Sequence, residues 1–291
     1  MTISDTTIHQ KAPAKINLTL HLTGLRDDGY HLLESLVVFT EFGDTLTVDQ
    51  AVDLKLIVDG QFADGVPTDD RNLVLKAANL LRSQRNVAAG ATIHLTKNLP
   101  HGAGIGGGSS DAAAALTALA KLWGVAPLSP HDALTLGADV PVCLCAPHAT
   151  VMRGIGENLS RAPYNPEGWL VLVNPNVVVP TSTVFALHDR LYDFTPASLD
   201  PMDHVNDAAS FEAWLLGQRN DLTKVASEPS IAPVIQDVLN ALRPHAVDCD
   251  MSGSGSTCWG LFHTEDAAKA CAEHIAHGNS GWWVRASRIL A

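Results

Sequence analysis

The sequence has no long apolar run and no cluster of positive charge. No stretch approaches the roughly 18 apolar residues that cross a bilayer, and residues 1–10 carry neither the basic nor the apolar part of a secretion signal. Lysine and arginine number 19 against 31 acidic residues, for a formal net charge of −12. The sequence therefore predicts a cytoplasmic protein that binds neither membranes nor nucleic acids.

Cysteine is scarce as well. The five cysteines are an odd number without a Cys-x-x-Cys pair, which favours reduced thiols over a disulfide framework. Cys143, Cys145 and His148 are close in sequence but lack the spacing of a zinc-binding motif. We therefore name no metal-ligating residue from the sequence.

The 291 residues, 46% of them hydrophobic, are enough for about two folded domains. Residues 15–22 alternate apolar and polar, which predicts a half-buried strand with Lys15 and Asn17 on its polar face. The order of elements indicates the α+β class, with a boundary near residue 160 that separates domains 1–160 and 161–291. Further strands are predicted at 36–39, 45–48, 54–58, 91–96, 169–173, 258–262 and 282–288, and helices at 72–84, 109–123, 183–191, 231–242 and 266–277. The strands before residue 60 are expected to form an antiparallel sheet.

The glycine-rich segment, defined as Pro100 to Ser110, follows a predicted strand and opens a predicted helix. Glycines let the backbone approach an anion closely, and a helix start adds N–H donors and the positive end of the helix dipole. Ser109 and Ser110 are expected to cap this helix or to contact phosphate and Mg²⁺. Asp111 is expected to stabilise its first turn through charge.

Three known phosphate motifs fail to describe this segment. A Walker A loop needs a Gly-Lys-Ser/Thr ending, and the segment has no lysine. Gly102, Gly104 and Gly107 match G-x-G-x-x-G, but no second strand ending in an acid follows, as a dinucleotide fold requires. The other protein-kinase sequence elements are absent. An ATP site in another kind of fold is therefore the leading interpretation, and a flexible loop that binds no ligand is the alternative.

Three further features carry possible chemistry, and the residues alone leave each of them open. Asp139, between a glycine turn and a predicted short apolar strand, is either a general base or an exposed or capping acid. Lys15 is either catalytic or a solvated charge. The second glycine turn, defined as Met251 to Thr257, either donates N–H groups to phosphate or makes a tight connection.

Four segments together resemble the GHMP family of small-molecule kinases, named for galactokinase and for homoserine, mevalonate and phosphomevalonate kinases. They are the strand that carries Lys15, the glycine-rich segment, Gly137 to Val142 and the second glycine turn. Pro13 to Leu18, Asp28 to His31, Pro100 to Asp111 and Gly137 to Pro141 together resemble one particular member of the family. The resemblance covers essentially the whole chain. It implies a two-domain GHMP kinase fold, with an N-terminal ribosomal-S5-like ATP-binding domain and a C-terminal ferredoxin-like domain.

The resemblance also implies site residues, with ATP as co-substrate and Mg²⁺ beside it. Lys15 and Asp139 would form the catalytic pair, and Asn17, Tyr30 and His31 would bind the substrate. The residues expected to bind ATP are Lys97 and, from the glycine-rich segment, Pro100, His101, Gly102, Ala103, Gly104, Ile105, Gly106, Gly107, Gly108, Ser109 and Ser110.

The implied reaction is transfer of the ATP γ-phosphate to the tertiary 2-hydroxyl of a cytidine-diphosphate sugar alcohol of the non-mevalonate isoprenoid pathway, by a monomer or homodimer. Tyr30 can stack on cytosine, and His31 can hydrogen-bond its edge. Another GHMP kinase is the alternative among enzymes, although Asp28 to His31 suits a cytidine group. A non-catalytic nucleotide sensor and an NAD-dependent oxidoreductase are alternatives from other classes.

Overall fold

The computed structural model describes residues 7–192 and 198–291. Strands and helices both occur throughout this part of the chain, and a 3₁₀ turn covers Leu134–Leu136. In chain order the elements are β1 (Ile8–Asn17), β2 (His21–Leu25), β3 (His31–Ala51), β4 (Lys55–Asp59), α1 (Leu73–Arg85), β5 (Gly90–Thr96), α2 (Gly107–Trp123), α3 (Pro130–Ala133), α4 (Val140–Cys143), β6 (Thr150–Gly154), β7 (Asn158–Arg161), β8 (Trp169–Asn174), α5 (Thr181–Leu191), α6 (Ala208–Leu215), α7 (Thr223–Ala226), α8 (Val234–Leu242), β9 (Cys249–Met251), β10 (Cys258–Phe262), α9 (Glu265–Gly278) and β11 (Trp283–Arg288).

The chain forms two compact units, each assembled from separate stretches of sequence. The described part of the first unit is 7–14, Gly43–Leu99 and Gly106–Leu144. The second unit contains Lys15–Phe42, Pro100–Ile105 and the described residues from Cys145 to Ala291. The domain division at residue 160 stays a prediction.

The first unit contains helices next to a short sheet. The second half of β3, from Thr45 to Ala51, pairs antiparallel with β5, and β4 pairs parallel with β5. The expected purely antiparallel arrangement is therefore wrong at β4. Helix α1 starts as predicted, with the Asn72 side chain accepting a hydrogen bond from the Val74 N–H at 2.8 Å, and it packs against α2.

The second unit contains two groups of antiparallel strands. The first half of β3 pairs with β2 and β6, and β6 pairs with β7. The other sheet has the strand order β11-β8-β10-β9, with α8 and α9 packed against it. Apolar side chains of these strands and helices, such as Val171, Ile235 and Cys271, form one buried cluster, because both elements turn their apolar residues inward.

The strand predicted over residues 15–22 is interrupted and has no solvated face. β1 ends at Asn17 and β2 begins only at His21, while Lys15, Thr19 and His21 are as buried as their apolar neighbours. The two strands predicted at 36–39 and 45–48 are parts of the single strand β3. The alternation of apolar and polar residues predicted the extended backbone. It could not show that the polar side chains are buried and hydrogen-bonded.

The segment after Asp139 is a short helix, α4, instead of the predicted strand. A short apolar run fits either element, and Pro141 is tolerated in the first turn of a helix. Upstream, Ser129 caps the four-residue helix α3 through a capping box with Asp132. Within the described ranges, no helix has the length and hydropathy needed to cross a membrane.

Candidate active site

The glycine-rich segment ends in the first turn of α2. The helix starts at Gly107, after Gly106 in the left-handed conformation, and its first internal hydrogen bond runs from the Ser110 N–H to the Gly106 carbonyl at 2.8 Å. The N–H groups of Gly107, Gly108 and Ser109 precede that bond and point out of the helix start. Since two of these residues lack side chains, the helix start is open to an anion.

The second glycine turn holds the beginning of the glycine-rich segment. Ser252 Oγ donates to the Gly104 carbonyl at 2.9 Å, and the Thr257 N–H donates to the Ala103 carbonyl at 3.1 Å. Gly104 has φ +74°, and a Cβ there would lie 2.5 Å from the Ser252 carbonyl oxygen and 2.7 Å from that of Gly255. Only glycine fits this position. The second turn is therefore a structural support of the loop, whatever else it does.

Lys15 belongs to the same hydrogen-bonded group. It is 3% exposed, its N–H donates to the Ile105 carbonyl at 3.0 Å, and its Nζ donates to Asn17 Oδ1 at 2.9 Å. The Asn17 N–H in turn donates to Ser252 Oγ at 3.0 Å, and Asn17 Nδ2 donates to Ser35 Oγ at 2.7 Å. The interpretation of Lys15 as a solvated charge is wrong, because both its backbone and its ammonium are held inside the unit.

Asp139 lies in the first unit, at the residue before α4, and is partly exposed. Its carboxylate makes no capping hydrogen bond to that helix. The capping alternative for Asp139 is therefore wrong.

Lys97 is buried between two carboxylates. Its Nζ donates to Asp44 Oδ2 and, at 2.7 Å, to Asp111 Oδ2. The other oxygen of Asp44 accepts the backbone N–H groups of Asn98 and Leu99 at 2.5 and 2.9 Å. We call Asp44, Lys97 and Asp111 the buried ion cluster. The prediction that Lys97 contacts ATP stays a prediction, and the structure gives its ammonium a role in the first unit as well.

Burial raises the pKa of Asp111 to about 8, with the Asp44 charge adding to the shift and Lys97 opposing it. Burial alone would lower the pKa of Lys97, but the charges of Asp111 and Asp44 outweigh it and raise that pKa. The expected role of Asp111 in the first turn of α2 is wrong, because Asp111 lies beyond that turn and pairs with Lys97.

The serines at the start of α2 also differ from their expected capping role. The capping position is Gly106, and no side chain caps the helix. Ser110 is buried and its Oγ donates to the Pro13 carbonyl at 2.7 Å. Ser109 is partly exposed and keeps its hydroxyl at the helix start.

Tyr30 and His31 lie at the start of β3 in the second unit. Tyr30 is 60% exposed, which leaves its ring accessible for stacking. His31 is held by two residues of α5. Its Nε2 lies 2.7 Å from Asp189 Oδ1, and its ring centroid is 4.6 Å from that of Phe185. Sequence reasoning missed Phe185 and Asp189. Their spacing on a predicted helix places them on one face, but nothing local indicates a partner so far away in sequence.

Sequence profiles and relatives agree on the family. The profile described as GHMP kinases N terminal domain matches residues 72–147, and that described as GHMP kinases C terminal matches residues 203–279. The chain belongs to the GHMP kinase family.

Within this family the chain is similar to proteins named 4-diphosphocytidyl-2-C-methyl-D-erythritol kinase. The one from Ruegeria pomeroyi is 51% identical, over 96% of this chain and 98% of the relative, and the one from Paramagnetospirillum magneticum is 49% identical over 97% and 98%. A crystal structure of 4-(cytidine 5'-diphospho)-2C-methyl-D-erythritol kinase matches with a TM-score of 0.80 at 32% identity, over 98% of this chain and all of that one.

A more distant GHMP kinase confirms the fold alone. Homoserine kinase from Cytophaga hutchinsonii is 19% identical, with a TM-score of 0.66 over 99% of this chain and 96% of that one. The expected α+β fold, with N- and C-terminal GHMP kinase domains, is therefore confirmed for this chain.

Replacing Gly104 should destabilise this GHMP kinase. In Gly104→Ala a Cβ meets the Ser252 carbonyl at 2.5 Å on a left-handed backbone, a strain of about 1–3 kcal/mol. We expect a lower midpoint of thermal unfolding. Gly278→Ala is the matched control, because nothing lies within 4 Å of its Cβ. Equal midpoints for both variants would contradict the tight contact at Gly104.

The raised pKa of Asp111 predicts a specific pH dependence. From about pH 4 to about pH 8 the folded chain keeps a proton on Asp111 that the unfolded chain releases, so this group stabilises less as pH rises. The free energy of unfolding of the wild type minus that of Asp111→Asn should fall across this window. Urea unfolding at several pH values measures it. A difference that stays constant or grows with pH contradicts the shift.

Proposed function

We propose that this chain transfers the γ-phosphoryl group of ATP to the 2-hydroxyl of 4-diphosphocytidyl-2-C-methyl-D-erythritol. The products are the 2-phosphate and ADP, and the step belongs to the non-mevalonate pathway to isoprenoid precursors. The single observation that carries the proposal is 51% identity to a kinase of that name over 96% of the chain. The reaction needs neither a membrane nor nucleic acid, and we place it in the cytoplasm with the ATP supply.

The glycine-rich segment is the proposed site of the ATP phosphates. The outward N–H groups of Gly107, Gly108 and Ser109 would donate to phosphate oxygens at the positive end of α2. Gly104, held by the second glycine turn, fixes the backbone that leads into them. The remaining residues from Pro100 to Ser110 would form the walls of this site.

Mg²⁺ is the proposed companion of the nucleotide, and when bound it neutralises phosphate charge. The hydroxyls of Ser109 and Ser110 are the side-chain oxygens that the glycine-rich segment offers to this ion. Ser110 uses its hydroxyl as a donor to the Pro13 carbonyl, whereas Ser109 is a partly exposed residue in the first turn of α2. Ser109 is therefore the proposed protein contact on this segment, and phosphate oxygens would supply most other ligands.

Asp139 and Lys15 are the proposed catalytic pair. Asp139 would take the proton of the 2-hydroxyl as its oxygen bonds to the γ-phosphorus and the bond from that phosphorus to the leaving oxygen of ADP breaks. Lys15 would keep the carboxylate ionised and offset negative charge on the transferring group. The hydrogen bond from Lys15 Nζ to Asn17 supports this role, because it orients the ammonium.

Asn17, Tyr30 and His31 are the proposed substrate contacts. The exposed Tyr30 ring would stack on cytosine and His31 would hydrogen-bond the edge of the base. Asn17 would serve the substrate end while holding Lys15. Lys97 is the proposed further contact to the nucleotide. Its Nζ would make this contact while it is paired with Asp44 and Asp111.

The proposal is tested with the purified chain, Mg-ATP and the cytidyl substrate. We expect ADP release that depends on 4-diphosphocytidyl-2-C-methyl-D-erythritol and a phosphate ester on its 2-hydroxyl, detected by phosphorus NMR. Homoserine and mevalonate should give only background ADP. Turnover of either of these compounds, without turnover of the cytidyl substrate, would refute the proposed substrate.

The Asp139→Asn variant tests the proposed base and separates a kinase from a nucleotide sensor. Losing a general base should lower kcat by about 10²–10⁴ while substrate and ATP affinities stay close to wild type. Asp70→Asn is a matched control, because Asp70 is an exposed acid of the same unit. A kcat within threefold of wild type, about the scatter between preparations, would remove Asp139 from the mechanism.

A further inference from the structure

The start of β3 and one face of α5 bring two imidazoles and a carboxylate together. His31 is the first residue of β3, and His188 and Asp189 are neighbours in α5, all within the second unit. The three donor atoms, His31 Nε2, His188 Nδ1 and Asp189 Oδ1, all lie within 4.8 Å of one another. Two imidazole nitrogens and one carboxylate oxygen are ligands of a catalytic-type zinc site.

His188 supplies an independent reason to expect a ligand here. It is 8% exposed, and its Nδ1 is buried without a hydrogen-bond partner among the described residues. That nitrogen lies 3.5 Å from Asp189 Oδ1, so it points into the cluster. A buried ring nitrogen that has lost water and gained no partner costs free energy. A metal ion would use this nitrogen.

The separations suit a small divalent ion. With bonds of about 2.1 Å, tetrahedral ligands lie about 3.4 Å apart. The two measured distances to Asp189 Oδ1 are 2.7 Å from His31 and 3.5 Å from His188, and they fall on either side of that value. The Asp189 side chain is 47% exposed, so a small rotation can open the shorter distance. Its exposure also leaves the fourth position open to water or ligand.

We infer that His31, His188 and Asp189 form a binding site for a divalent transition metal ion of the zinc type. Mg²⁺ is not the expected ion, because it prefers oxygen ligands in octahedral geometry, whereas two of these donors are imidazoles. The ligands of this site therefore differ in chemistry from those of an Mg²⁺ ion that accompanies ATP.

The metal site shares His31 with the proposed cytidine contact, and this part of the inference rests on the proposed function. An ion on His31 Nε2 holds the ring toward α5 and places positive charge beside the base. Zinc should therefore compete with the cytidyl substrate and leave the KM for ATP unchanged. His188 and Asp189 would hold the metal ion beside His31.

Isothermal titration of the chelator-treated full chain with zinc chloride tests binding without reference to activity. We expect one zinc ion per chain at this site. His188→Ala and Asp189→Asn should each weaken the zinc affinity by at least about tenfold. A tenfold loss is the lower end of the range typical even for groups that only orient a metal ligand. His277→Ala is the matched control, an exposed histidine on α9. Wild-type zinc affinity in both site variants overturns the inference.

Inhibition kinetics test the competition. Zinc should raise the KM for the cytidyl substrate in the wild type, chelator should reverse this, and His188→Ala should lose this effect of zinc. If zinc binds with the predicted variant pattern but leaves that KM unchanged, the competition is wrong and the metal site stands. If the chain does not phosphorylate the cytidyl substrate at all, the calorimetry still decides the metal site, so the two failures are distinguishable.

Discussion

The buried ion cluster is the interaction on which the rest of the first unit depends. One ammonium, on Lys97, joins Asp44 of β3 to Asp111 of α2, and Asp44 also accepts two backbone N–H groups directly before the glycine-rich segment. Removing the Lys97 ammonium would leave the Asp44 carboxylate as an uncompensated buried charge, at a cost of about 3–5 kcal/mol. The end of β5, the loop start and α2 are therefore fixed together, which sets the direction of the open N–H groups.

Within the second unit, Pro100 to Ile105 is held by contacts of its own. Gly104 lies so close to the Ser252 carbonyl that no side chain fits, and Ser252 also accepts the Asn17 N–H. Asn17 in turn accepts from Lys15, so the loop backbone and the proposed catalytic ammonium share one hydrogen-bonded group. This shared support fixes the loop backbone and the ammonium in advance of the reaction. Such pre-organisation matters because phosphoryl transfer relies on positioning and electrostatics more than on covalent chemistry by the protein.

The sequence predicted elements with a clearly bounded pattern well and short ambiguous runs poorly. Helix α2 was expected two residues late, and β10 was placed correctly, because each has a clear pattern bounded by glycine or turn residues. The run after Asp139 became a helix, since a short apolar stretch fits both elements. Two predicted strands form the single strand β3, because a local break in the apolar pattern does not end a strand whose two halves are each paired, one with β6 and the other with β5.

The site residues were predicted by motif, whereas their supports were not. Glycines and the resemblance of four segments led to Lys15, Asp139 and the glycine-rich segment. Asp44 and Ser252 lie 53 residues from Lys97 and 235 residues from Asn17, and no local pattern indicates such pairings. The same holds for Asp189, 158 residues from His31. Long-range polar contacts depend on the folded topology, so they appear only in the structure.

Hydrogen–deuterium exchange with a non-hydrolysable ATP analogue tests the central claim, that the start of α2 holds the phosphates. The account predicts that the amides of residues 106–109 exchange at least about tenfold more slowly when the analogue is bound, since donation to phosphate removes them from water. Amides of α9, in the second unit, should be unchanged. Analogue binding with unchanged exchange at 106–109 would contradict the account.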